Sequence, residues 1–348
     1  MRALQLTAWA QPAQFRDVTE PDPGPGQVVV RVGGAGACHS DLHLMYDFPP
    51  GALPWPMPFT LGHENAGWVH ALGPGVTGLE VGEPVAVYGP WGCGRCRRCR
   101  QGMENYCEQQ ASMGAAGGGL GADGGMAPLM LVPSARHLVP IGDLDPVKAA
   151  PLTDAGLTPY HAIKRSLGLL VPGSFAVVIG AGGLGHMAVQ LLRALSAATV
   201  IVVDQREAAL TVAKDLGAHH AVLGAESAVA EVRDATKGQG ADVVIDLVGV
   251  TSTMQLAVAV SRPLGHITVV GIGGGTLEVG FFSVPYEVSV ATTYWGTLPE
   301  LMELVALAQD GRIGCRVHAF PLSEAIDAYE TMRSGGLDGR AVIVPATR

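Results

Sequence analysis

Phe175-Ala-Val-Val-Ile-Gly-Ala-Gly-Gly-Leu-Gly185 is the stretch on which the fold turns. A short apolar run ends abruptly in glycines. Beyond them, Leu184, Met187, Ala188, Leu191, Leu192 and Leu195 recur at the spacing of one helical face. The reading is strand, tight turn, helix. A glycine pattern alone means little in a chain with 48 glycines, but here a strand precedes it and a helix follows. Gly180 permits the turn, Gly182 lets backbone approach a phosphate, and Gly185 allows close helix–strand packing. With Gly183 and Leu184 they form the expected cradle, where free helix N-terminal amides would meet an anion.

Working outward, Thr199-Val-Ile-Val-Val203 reads as the next strand, and Asp204 ends it, nineteen residues after Gly185. A carboxylate there suits ribose hydroxyls and repels a 2′-phosphate, so NAD is the expected cofactor; Arg206 nearby pulls the other way. Asp242-Val-Val-Ile245 and His266-Ile-Thr-Val-Val270 repeat the alternation. Strands alternating with helices imply an α/β, Rossmann-type doubly wound parallel sheet. Residues 1 to about 150 differ. They are rich in Gly and Pro and read as short strands, such as Gln27–Val32 and Glu83–Tyr88. Gly114–Gly125 holds seven glycines and reads as a flexible loop. After 295 come a helical stretch, Glu300–Gln309, and a closing strand, Arg340–Val344. The tail is expected to rejoin the first domain.

Cys93-x-x-Cys96-x-x-Cys99-x7-Cys107 places four of six cysteines within fifteen residues. Four thiolates on a short lobe, about 92–108, can close a tetrahedral zinc site that leaves no vacancy, hence a structural one. An iron–sulfur cluster is the competitor. Near the start, Cys38-His-Ser-Asp-Leu-His43 is followed by Gly62-His63-Glu64.

Taken together, these motifs resemble the zinc-dependent medium-chain alcohol dehydrogenases, over essentially the whole length, and the segment Pro151–His161 looks like the bacterial secondary-alcohol branch. The resemblance implies a GroES-like, mostly-β catalytic domain at 1–154, an NAD-binding domain at 155–291, and a return to the first at 292–348. It implies two zinc ions per chain. Cys38, His63 and a third ligand would hold the catalytic one, with Glu64 close by. Asp154 is assigned as the third ligand, since the remaining cysteine, Cys315, lies far along the chain and reads as a buried thiol. Glu64, adjacent to His63, is the rival third ligand, and an N-cap for a helix beginning near Ala155 is the alternative role for Asp154. Ser40 would take the alcohol proton and pass it, through a ribose hydroxyl, to His43. His39 and Arg340 would contact the pyrophosphate, and Thr158 would lie near the nicotinamide. Trp55, Leu120 and Trp295 are candidate walls of an apolar substrate pocket.

The expected activity is reversible oxidation of small or medium apolar alcohols, secondary ones foremost. A polyol dehydrogenase of the same superfamily is the first alternative, and a non-catalytic or quinone-reductase-like relative the second. With 48% hydrophobic and 15% charged residues, the chain can bury a large core. A net charge of −9 without a basic run argues against nucleic acid; Arg95, Arg97, Arg98 and Arg100 are interleaved with cysteines. No run reaches the ~18 apolar residues of a membrane span. A cytoplasmic homo-oligomer, dimer or tetramer, acting on a small-molecule alcohol or ketone is therefore expected.

Overall fold

The computed structural model describes residues 1–345. The chain forms two compact units: Met1–Leu157 with the segment from Trp295 onward, and Thr158–Tyr294.

The first unit is built on a seven-stranded sheet. Its central strand, Val28–Gly36, runs antiparallel to Glu64–Leu72 on one side and to the closing strand Arg340–Val344 on the other. The tail thus pairs with strand Val28–Gly36, inside the first unit. Register does the rest. Gly36 lies opposite both Glu64 and Val342, which brings Arg340 and Glu64 side by side. Side chains of these strands, among them Val30, Val32 and Ile343, pack with Leu4, Phe59 and Tyr329 into one core.

Two local expectations change here. Gly114–Gly125 is no plain loop: Gly117, Gly118, Gly119, Gly121, Gly124 and Gly125 are buried, and Gly117–Gly118 pairs with Gly121–Ala122. A Cβ at Gly119 would collide with the backbone of Gly62 and His63, so absence of side chains here serves close packing against a site residue. Cys315 is half-buried rather than buried.

The second unit is a six-stranded, all-parallel sheet. Its spatial order is His220–Leu223, Thr199–Asp204, Phe175–Ile179, Ala241–Asp246, Ser261–Val269, Ser289–Thr292. The central strands are buried along their whole length and mostly apolar, as strands covered on both faces are. Chain order reverses beside Phe175–Ile179, the switch point where such sheets bind ligands. Among the described residues, no helix is long and apolar enough to cross a membrane.

Candidate functional site

The glycine turn has the geometry its sequence suggested. Gly180 sits at φ 93°, a conformation closed to most side chains, and turns the chain out of the strand. Helix Gly185–Leu195 follows, and a Cβ at Gly185 would strike the Gly180 carbonyl. Gly182 has open space around it. Asp204 ends its strand with Oδ2 accepting from the Ala181 amide at 2.7 Å and Oδ1 from the Arg206 amide at 2.8 Å. The carboxylate therefore lies beside the turn, with the Arg206 guanidinium 3.6 Å away. Thr158 is buried in the first turn of helix Leu157–Arg165.

In the first unit, the four lobe cysteines converge. The sulfurs of Cys96 and Cys99 are 3.4 Å apart, and those of Cys93 and Cys99 3.9 Å apart. A disulfide needs about 2.05 Å. A zinc tetrahedron with bonds near 2.3 Å has sulfur–sulfur edges of about 3.8 Å, close to these values. Backbone amides support the sulfurs: Cys96 N reaches Cys93 Sγ at 3.3 Å, Cys99 N reaches Cys96 Sγ at 3.4 Å, and Cys93 N reaches Cys107 Sγ at 3.3 Å. The amides of Arg95 and Cys96 pull the Cys93 thiol down to about 6, favouring the thiolate that a metal needs. Beneath the lobe, buried Glu104 accepts from the Gly92 amide, from Arg136 Nε at 2.9 Å and sits 3.0 Å from His137 Nε2. Burial alone would raise its carboxyl, but these partners outweigh it and hold the value near 2.

The second cluster joins distant parts of the chain. Cys38 caps helix His39–Tyr46, His63 precedes the strand that Glu64 opens, and Asp154 follows a short 3₁₀ turn, Ala150–Thr153. Because helix Leu157–Arg165 starts later, Asp154 is not the N-cap considered for it. Asp154 Oδ2 stands 3.7 Å from Cys38 Sγ and 3.5 Å from His63 Nε2. Tetrahedral zinc with ordinary S, N and O bond lengths would set these edges at about 3.6 and 3.4 Å. The donor set therefore fits a zinc ion with three protein ligands. Charge agrees. Burial works against a charged His63, yet Asp41 and Asp154 outweigh it and hold the imidazole well above its usual range. That is a place for a cation, and a metal can take the proton's position.

Glu64 also has an oxygen within 4.8 Å of these donors. It is already engaged: Arg340 grips both its oxygens, Nε at 2.9 Å from Oε2, and the Ala155 amide donates to Oε1 at 3.1 Å. Any Cβ at Gly36 would displace this carboxylate. Arg340, expected at a pyrophosphate, is itself 3% exposed and is seen here as the partner of Glu64, with Asp154 Oδ2 3.9 Å off.

Ser40 Oγ lies 3.3 Å from His63 Nε2. His43 is one turn along the same helix and half-buried, with Nδ1 2.5 Å from Asp47 Oδ2. His39 is exposed at the start of that helix. Trp295 is buried, sets its ring edge-on to His63 at 5.7 Å, and donates its indole N–H to the Thr153 carbonyl at 2.8 Å. Trp55 and Leu120 are half-buried, Trp55 between Trp9 and Phe59. Two contributors were missed from sequence. Asp41 faces His63 Nδ1 at 3.2 Å, and Tyr329 donates to Asp41 at 2.7 Å. Asp41 carried a signal, an acidic residue three places after the helix cap. Tyr329 carried none.

Comparison with known proteins agrees along the whole chain. Residues 24–143 match the alcohol dehydrogenase GroES-like domain and residues 183–310 the zinc-binding dehydrogenase domain. A relative from Sulfurisphaera tokodaii, described as an NAD-dependent alcohol dehydrogenase, is 36% identical, covering 99% of this chain and 100% of its own. The NADP-dependent D-arabinose 1-dehydrogenase of Saccharolobus solfataricus is 33% identical over 99% of this chain and 97% of its own. The crystal structure of the alcohol dehydrogenase of Aeropyrum pernix is 37% identical, with a TM-score of 0.92 over 99% of this chain and 100% of that one.

Proposed function

This chain belongs to the zinc-binding alcohol dehydrogenase family, and we propose on that premise that it oxidises small to medium apolar alcohols, secondary ones foremost, reversibly and with NAD. It is an oxidoreductase of the medium-chain type, with a GroES-like domain and a Rossmann-type domain. The observation that carries the reading is the convergence of Cys38, His63 and Asp154, with Asp154 Oδ2 near the edge lengths of a zinc tetrahedron from both of the others.

Zinc in that position supplies Lewis-acid polarisation of the alcohol oxygen, and NAD supplies a hydride acceptor. The chain's residues do the remainder. Cys38, His63 and Asp154 bind the metal. Arg340 and the Ala155 amide keep Glu64 beside it and occupied. Ser40 Oγ would take the alcohol proton, and His43, oriented by Asp47 and linked to Ser40 by a ribose hydroxyl of the bound cofactor, would pass it toward solvent. Trp55, Leu120 and Trp295 form apolar walls. Gly180, Gly182, Gly183, Leu184 and Gly185 hold the cofactor phosphates, Asp204 its ribose, and Thr158, His39 and Arg340 make further cofactor contacts. Cys93, Cys96, Cys99 and Cys107 hold a second, structural zinc.

Oxidation of sugars or polyols is the second reading, favoured by the D-arabinose-oxidising relative. Assaying 2-butanol, a primary alcohol, sorbitol and D-arabinose with NAD and with NADP separates the two. The proposal requires the highest kcat/KM for 2-butanol with NAD, and about a hundredfold loss with NADP from phosphate–carboxylate repulsion at Asp204. Preference for a polyhydroxylated substrate would overturn it.

We further infer that copies of the chain associate. Ser289–Thr292 is an open sheet edge, and beside it in sequence Val279, Phe281, Phe282 and Tyr286 are 60–88% exposed. A dimer, or a tetramer built from dimers, would cover them. None of the six cysteines is paired in a disulfide, which suits a reducing, cytoplasmic setting.

A further inference from the structure

We infer that Tyr329 is a positioning residue for the metal at Cys38, His63 and Asp154, acting through Asp41; this rests on the reading of that cluster as a zinc site. Asp41 is completely buried, bonds the Cys38 amide and lies against the His63 ring. Its Oδ1 faces His63 Nδ1 at 3.2 Å, and its Oδ2 accepts from the Cys38 amide at 3.0 Å. A carboxylate behind a ligating imidazole fixes the tautomer, turns the ring and makes the far nitrogen a better donor. What fixes the carboxylate is then decisive. Besides the Cys38 amide, the bond that does so is the Tyr329 hydroxyl, 2.7 Å from Oδ2.

Tyr329 reaches Asp41 across 288 positions, from helix Ala325–Arg333, whose inner face carries Ala325, Ala328 and Met332 into the core. Phenylalanine would fill that space equally well. A hydroxyl buried there is costly unless bonded, and among the described residues it has, besides Asp41, the weak acceptor Met126 Sδ at 3.4 Å. The hydroxyl therefore has its use at Asp41. It locks the carboxylate rotamer against helix His39–Tyr46, so His63 and the Cys38 backbone keep the places from which they would hold the metal.

The test is zinc release. Protein loaded with two zinc ions is mixed with excess 4-(2-pyridylazo)resorcinol, and both release phases are timed. Tyr329→Phe is expected to release the ion of the open site about tenfold faster, the range seen when an outer partner of a ligand is lost. The lobe ion should leave at its usual rate. Asp41→Asn breaks the same link from the other side and should accelerate release at least as much; Tyr329→Phe added to it should contribute nothing more. Met332→Ala controls for packing on the same helix, and should lower the melting temperature without changing release. Two zinc ions with an unchanged Tyr329→Phe rate would overturn the inference alone, as would equal acceleration by Met332→Ala. A parent protein that holds zinc only in the lobe would overturn the metal reading of the open site, and this inference with it.

Discussion

The four-cysteine lobe and the Cys38–His63–Asp154 cluster both gather metal donors in the first unit, by opposite routes. In the lobe, fifteen residues supply four identical soft ligands, and the loop's own amides support them. In the other, 116 positions separate Cys38 from Asp154, the donors are of three kinds, and residues as far away as Tyr329 and Arg340 bond the carboxylates that flank them. A local site is closed by its own spacing and resists exchange. A site assembled from distant segments can leave one vertex to chemistry, because its surroundings rather than a fourth ligand fix its shape.

Four experiments press on that contrast. The largest effect is expected from Asp154→Asn, which keeps the side chain's size and removes its charge. Turnover should fall by orders of magnitude, beyond the roughly 100-fold typical of losing an outer partner, while elemental analysis finds one zinc, in the lobe. Two tightly held zincs and near-normal turnover would remove Asp154 from the ligand set.

Graded chelation comes next. Activity should disappear with the first zinc while the far-ultraviolet spectrum and melting transition persist. The second zinc should leave at least about tenfold more slowly, and its departure should lower the melting temperature. If activity and fold vanish in a single phase, the two sites do not differ as argued.

His43→Ala is expected to cost about tenfold at neutral pH, less than the roughly 100-fold usual for a group acting directly on the reacting atom. The rate should lose part of its pH dependence, and added imidazole should restore some of it. A pH profile superimposable on the parent's would exclude the relay.

The smallest effect belongs to the lobe's anchor. Glu104 is held near 2, below the ordinary carboxylate value of 4.5, so its contribution to stability is complete above about pH 4.5 and fades as pH falls toward 2. Glu104→Gln should lower the melting temperature at neutral pH by about 3 °C and weaken the acid dependence across that window. An acid melting curve identical to the parent's would mean that Glu104 does not anchor the lobe.

The amino-acid sequence alone settled whatever depends on near neighbours. Phe175–Gly185 dictated strand, turn and helix because periodicity and backbone freedom act over a few residues. Cys93 to Cys107 dictated a four-donor lobe because its ligands lie on one short loop. Asp154 was reached only by setting aside cysteines already assigned elsewhere, and Asp41 only hinted at itself through its place in the helix cap. The tertiary structure decided the rest. Gly119 and Gly124 became part of a packed shelf because the backbone at Gly62 and His63 leaves no room for a Cβ. Sheet register at Gly36 brought Arg340 to Glu64, and a helix from the chain's final third brought Tyr329 to Asp41. Such contacts form when buried polar groups must find partners among whatever the fold places beside them, and that is set by three-dimensional neighbours rather than by distance along the chain.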